Sequence, residues 1–420
     1  MSTGAIPQIL ERHLDDLSGL INQRLGLVHQ ANGNLTLLGR MDERIAAHLD
    51  ALRINASSCW PMCKALLESP DPGEMCVATL LAIELDRAQY VSHVLALAES
   101  LPETQAGALA AFDWLPEPLG TQSYLRLLAS DQPFWRLTGL AASAQQRATP
   151  IPFLTESMRD NDPGLQARLL QAVGEQGLTG HLPWCTAQLS NPEPDIRFWA
   201  SWSATLLGSQ HGLKPLGEFA IKPGPFQQQA LSLLLKAVPL AAAHKLIQSL
   251  SQTPENQRAV IKAVAMAGDP FYVPWLMERM GEPEFTRLAG ESFSFITGVD
   301  LAYQDLERKP PEDFESGPND DPDDPNVDLD EDDDLPWPDV EKVARWWWQH
   351  SKAFAEGTRY FMGKPVTVEH CLAVLKSGFQ RQRVGAAQYL CLISPGTPLF
   401  PTAAPTWRQH ALLQTWPGHS

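Results

Sequence analysis

A short pattern that returns about every thirty residues between Ser130 and Gly298 constrains this chain more than anything else in it. Arginine marks the pattern: Arg136, Arg168, Arg197, Arg258 and Arg287 stand 32, 29, 61 and 29 residues apart, and Gln229 falls at the midpoint of the double gap. Each marker opens a run dense in Ala and Leu with apolar residues at helical spacing, as in Arg168-Leu-Leu-Gln-Ala-Val and Arg258-Ala-Val-Ile-Lys-Ala-Val. Such runs are too long for strands. A second helix follows, opened by proline before a bulky residue at Pro152-Phe153, Pro183-Trp184, Pro215-Leu216 and Pro274-Trp275, while the fourth copy carries His244 instead. Proline suits the first turn of a helix, where its missing N–H has no partner to lose. The connectors Asn161-Asp-Pro-Gly, Asn191-Pro-Glu-Pro and Gly281-Glu-Pro are turn chemistry.

A helix pair of this length cannot bury its apolar face alone, so copies must stack into a shared core. The expected fold is all-α: a HEAT-like α-solenoid of short helix pairs, because a period of ~30 lies below the ~40–47 usual for HEAT units. The arginines read as structural, each capping or pairing with a neighbouring repeat at an equivalent position. The expected organisation is N-terminal helices and a capping repeat over 1–125, repeats over 126–298, an acidic insertion over 299–338, C-terminal helices with a last repeat over 339–395, and a Pro-rich surface tail over 396–420. In that last repeat Arg383 stands where the repeat arginine should be. Trp346, Trp347 and Trp348 follow one another in a helix, and packing on two sides is the expected explanation.

Acids outnumber bases by 49 to 32, so the formal charge of −17 repels nucleic acid and anionic membrane and attracts basic proteins. The six cysteines show no CxxC and no paired pairs at zinc spacing, and Cys59 and Cys63 have no histidine following at ligand distance. They read as buried thiols in a reducing compartment. No run approaches the ~20 apolar residues a membrane span needs, and no basic leader opens the chain, so a cytoplasmic protein without metal or cofactor is expected.

Residues 312–334 hold thirteen acids and no lysine or arginine. The stretch has prolines and few apolar residues, so it reads as a disordered insertion that buries nothing. Its alternating aspartates lack the central glycine and terminal glutamate of an EF-hand loop. The candidate partner-binding residues are Asp320, Asp321, Asp323, Asp324, Asp328, Asp330, Glu331, Asp332, Asp333 and Asp334.

Signals for catalysis fail one by one. Gly290-Glu-Ser292-Phe-Ser294 has the wrong fifth residue for a nucleophile elbow, and Gly357 to Lys364 has the wrong spacing for a phosphate loop, with Pro365 where Ser or Thr must hold magnesium. No histidine is followed by glutamate, as a di-iron HEAT-like hydroxylase would require. No catalytic residue is assigned, and a binding surface remains.

Several stretches resemble a bacterial family of HEAT-like proteins whose genes lie beside type VI secretion effector genes. They are Met41-Asp-Glu-Arg-Ile-Ala-Ala-His-Leu-Asp-Ala-Leu-Arg53, Leu335-Pro-Trp-Pro-Asp339, Arg345-Trp-Trp, and Gly363 to His370 leading into Gly378-Phe-Gln-Arg-Gln-Arg-Val-Gly-Ala-Ala387. Within that family the chain is most similar to immunity proteins that protect a Pseudomonas-type cell from its own nuclease effector of the restriction-endonuclease-like Tox-REase class. The resemblance implies a protein that is not an enzyme, whose partner is a cognate basic nuclease toxin. The alternatives are a HEAT-like adaptor or chaperone scaffold for effector loading, and a bilin-lyase-like enzyme, which would need a tetrapyrrole. The resembling motifs are structural in character, so no functional residue is carried over.

Overall fold

Proline, rather than arginine, sets the period of the fold. Pro72, Pro102, Pro133, Pro163, Pro194, Pro225, Pro254 and Pro283 follow one another at 30, 31, 30, 31, 31, 29 and 29 residues. Each sits at the first residue of a helical segment or within three residues of one. A fixed φ and a missing N–H are harmless only there, so the spacing of prolines is the spacing of helix starts. The pattern therefore begins at Pro72, well before the expected boundary at 126.

The computed structural model describes residues 6–311, 314 and 330–416. Three helices precede the row: α1 (Pro7–Leu27), α2 (Leu35–Ile54) and α3 (Ala56–Leu66). Paired helices follow as α4 (Pro72–Glu84) with α5 (Ala88–Ser100), α6 (Gln105–Trp114) with α7 (Leu119–Leu128), and α8 (Pro133–Gln145) with α9 (Ile151–Ser157). The next are α10 (Pro163–Glu175) with α11 (Leu182–Ala187), and α12 (Pro194–Leu206) with α13 (Leu213–Ala220). Then come α14 (Gln227–Ala237) with α15 (Leu240–Leu250), and α16 (Gln257–Ala267) with α17 (Val273–Arg279), before α18 (Thr286–Thr297) closes the row. After the acidic stretch come α19 (Val340–His350), a two-stranded ribbon of β1 (Tyr360–Phe361) and β2 (Lys364–Pro365), α20 (Val368–Ser377), α21 (Gln380–Ile393) and α22 (Thr406–Gln414). Among the described residues the protein is all-α apart from that ribbon.

The even-numbered helices from α4 to α18 each pack on the next, and the odd-numbered ones lie against that row. The row is the core. From Met75 to Ile83 every residue of α4 is buried, the pattern of a helix enclosed on all sides. On its other flank α1 packs on α2 and α4, and α21 packs on α12 and α14.

Counted back from the left-handed residue that ends each helix, Arg136, Arg197 and Arg287 share one position, eleven residues before it, while Arg258 lies ten and Arg168 nine residues before it. Arg136 and Arg197 lie three residues after their prolines, Arg258 and Arg287 four, and Arg168 five.

The expected surface tail is instead a structural strap. Several row helices end in the left-handed region at Arg147, Gly177, Gly208, Gly268 and Gly298, and the C-terminal chain runs across those ends. Leu399 N–H donates to Glu175 O at 2.8 Å, and Tyr360 N–H donates to Gly268 O at 2.7 Å. A Cβ at Gly177 would lie 2.3 Å from Gly396 O, and one at Gly268 would lie 2.2 Å from Tyr360 O. Only glycine allows both the positive φ and that approach. Farther along, Thr406 N–H donates to Asp42 at 2.7 Å and Arg408 pairs with Asp113 at 2.7 Å, which fixes α22 beside α2. The tail thus fills in the buried carboxylates and helix ends left open by the row.

The tryptophan triplet also departs from expectation. Trp346 and Trp347 pack on Phe293, whereas Trp348 is 81% exposed.

Candidate functional site

Each repeat arginine finds its own partner. Arg136 pairs with Asp160 at 3.1 Å, and Arg168 shares Glu175 with Arg147. Arg197 donates to Asn191 O at 2.8 Å and lies over the Phe219 ring. These contacts are caps and joints within the helical row. Arg258 and Arg287 differ. Each is the second residue of its helix, and α16 packs on α18, so the two guanidinia lie side by side on one edge.

The end of the acidic stretch docks on that edge. Asp330 meets Arg287 at 2.6 Å, and Asp332 meets Arg258 at 2.6 Å. Arg287 also donates to the Asp332 carbonyl at 3.0 Å. Glu331 adds contacts of 3.3 Å to Arg258 and 3.6 Å to Lys262. A turn holds the three acids in place, with Asp332 N–H donating to Asp330 Oδ1 at 3.0 Å. Burial would pull the Arg258 pKa down, but the hydrogen bond and charge of Asp332, with those of Glu331, more than reverse this and raise it.

Arg287 holds both sides of the acidic stretch. Its guanidinium lies 4.8 Å from the Phe314 ring and 4.9 Å from the Trp337 ring, and the two rings meet edge to face at 4.7 Å. Phe314 precedes residues 315–329 and Asp330 follows them, so both ends of that stretch rest on one side chain.

The candidate acids therefore divide. Asp320, Asp321, Asp323, Asp324 and Asp328 lie outside the described residues. Asp330 and Asp332 are committed to the chain's own arginines, and Asp332 is buried. This overturns the expectation that 312–334 buries nothing: a partly buried guanidinium left unpaired is costly, and these carboxylates are its partners. Glu331, Asp333 and Asp334 stay exposed. At the clamp three acids face Arg258, Lys262 and Arg287, so local charge cancels there.

A second cationic centre gave no signal in the sequence. Arg359 donates to the carbonyls of Val238 at 2.6 Å, Ala267 at 3.0 Å and Lys236, so one side chain caps the ends of α14 and α16. Lys236 is buried beside it, with Nζ donating to Ser232 O at 2.7 Å and Ser232 Oγ at 3.0 Å. Burial, and then the Arg359 charge, push the Lys236 pKa down to about 7.

Other chemistry-bearing groups are used in packing. The Asp269 carboxylate accepts from Phe271 N–H with one oxygen and meets His244 Nε2 at 2.8 Å with the other, joining α15 to the start of α17. All six cysteines are buried free thiols. Among the described residues no three His, Cys, Asp or Glu side chains gather to hold a metal ion, and no helix is long and apolar enough to cross a membrane.

The resembling motifs likewise hold the fold. Asp42 binds Arg24 and Thr406, Arg53 binds Glu84 at 2.8 Å, and Trp337 covers Arg287. Compared with known proteins, the chain matches no family model, no curated protein and no solved structure.

Proposed function

We propose that this protein is a HEAT-like α-solenoid that binds a basic nuclease toxin of the type VI secretion kind in the cytoplasm and neutralises it by direct contact. The observation that carries this reading is the placement of acid. The net charge is −17, thirteen acids fall within 312–334, and the stretch has both ends fixed on Arg287. A nuclease must present cationic groups to phosphate. Carboxylates concentrated at one rooted segment steer such a surface and compete for the same groups. The family resemblance points the same way, and the packing roles of its motifs suit a binding protein whose specificity lies on its surface.

The test uses cells that express the toxin with and without this protein. Protection is expected, and unprotected cells end the reading. The interface is then located with a variant in which Asp320, Asp321, Asp323, Asp324, Asp328, Glu331, Asp333 and Asp334 become Asn or Gln while Asp330 and Asp332 are kept. Association should slow more than dissociation quickens, and its salt dependence should flatten, because exposed charges act through encounter and are screened beyond ~8 Å at physiological ionic strength. Unchanged rate and salt slope would move the interface onto the helical stack.

A further inference from the structure

Helix α1 is held differently at its two ends. Its second half is well anchored: Asn22 donates to Asp71 at 2.7 Å, and Arg24 pairs with the buried Asp42 and donates to the Ala403 and Ala404 carbonyls at 3.1 Å. The first half has one polar tie. Among the described residues, the only side-chain hydrogen bond or ion pair between residues 7–16 and another helix joins His13 Nδ1 to His48 Nδ1 of α2, at 3.1 Å with the rings inclined at 72°. The start of α1 lacks other support, since Ile6 gives no side-chain cap and no acid stands in the first turn.

Two imidazoles share such a contact only while one facing nitrogen donates and the other accepts. Protonating the donor ring leaves the contact intact and makes it charge-assisted. Protonating the acceptor as well sets two N–H groups and two like charges against each other. Little nearby offsets the second charge. From the elements packed on α2, the charges that act on His48 are His13 and Asp16 of α1, while α2 itself supplies Arg44. Asp16 alone favours a charged ring, and it is half exposed and shared with Arg12 at 3.7 Å. Burial, and then His13, hold the His48 pKa below its ordinary 6.5.

We propose that the His13–His48 contact is an acid-sensitive latch: in mild acid both rings are charged, the contact breaks, and the first half of α1 lifts from α2 while the second half stays anchored. The direction follows from linkage. His48 in the open latch takes up its proton at the ordinary pKa and in the closed latch only at lower pH, so the latch is whole above about pH 6.5 and weakens as pH falls below it. Leu10 and Leu14, buried under that half, come into solvent with it and join the exposed Ile6 and Ile9 as an apolar surface. The latch is independent of toxin binding.

Hydrogen exchange of the full chain, read by mass spectrometry at pH 7.5 and pH 5 and corrected for intrinsic rates, tests the latch. Protection of residues 8–16 should fall about tenfold at the lower pH, the effect of one pKa unit, while residues 18–27 keep theirs. In His48→Asn, whose amide replaces the ring nitrogen without titrating, and in His13→Asn, that loss should disappear. Both positions are half-buried, so each variant should fold, with a urea midpoint at pH 7.5 close to that of the wild type. Equal protection of residues 8–16 at the two pH values in the wild type overturns the proposal. So does an acid loss that survives in both variants, or one that extends equally over the whole of α1.

Discussion

Buried cations in this protein show what a charged group demands of its surroundings. Arg287 has two carbonyl or carboxylate oxygens at its ends and an aromatic ring near each of two positions, so little of it is left for any other ligand. Arg383 is fully buried and donates to Leu375 O and to the side-chain oxygens of Gln380 and Gln409, and burial pushes its pKa down to about 10. Lys236 has weaker compensation, a hydroxyl and one carbonyl. With a folded pKa of about 7 against an ordinary 10.5, the unfolded chain binds more protons across that interval. Stability from this group is therefore complete above about pH 10.5 and is lost as pH falls through about 7. Lys236→Met removes the dependence. Urea unfolding at pH 7, 8 and 9 should show the variant's relative stability greatest at pH 7 and shrinking steadily as pH rises. Parallel stability curves would show that the amine is protonated in the fold throughout.

At the scale of the element, the acidic stretch is two things joined together. Residues 330–335 are a turn pinned to α16 and α18, whereas the chain from Phe314 to Asp330 leaves and returns to one guanidinium. Two deletions separate these roles. Replacing 315–329 by a short Gly-Ser bridge keeps every clamp contact, and loop length enters stability only logarithmically, so the denaturation midpoint should move little. Removing 312–334 strips the carboxylates from Arg258 and Arg287 and should lower stability by about 2–4 kcal/mol, in the range for breaking partly buried charged hydrogen bonds. Equal effects of the two deletions in guanidinium melts would mean that the clamp contributes nothing.

At the scale of the whole molecule, the C-terminal strap is what closes the row of helices. It covers the helix ends at Gly177 and Gly208, buries Phe400, Ala404 and Leu413, and brings Arg408 to Asp113. Asp113 sits inside, and burial raises its pKa against the opposing pull of Arg408 and Gln145. A chain ending at Ser394 should lose at least about 3–5 kcal/mol, the cost of one buried charge left unpaired together with lost apolar burial. Thermal unfolding of that truncation at the wild-type midpoint would contradict the strap.

Local periodicity determined most of what was legible from the residues alone. Helical spacing, turn chemistry and the thirty-residue period are set by residues within one or two turns of each other, so the all-α class and the paired helices could be read directly. The proline series from Pro72 was equally legible, and the arginine series obscured it. Composition also located the acidic stretch, because a run of thirteen acids needs no neighbours to be seen. What charge cannot say is which carboxylates are already satisfied. Asp330 and Asp332 were read as free because their partners lie 43 and 74 residues away. The tail was read as surface for the same reason, since Arg24 reaches Ala403 across 379 residues. Pairings over such distances depend on how the row of helices brings its ends together, and only the tertiary structure decides them.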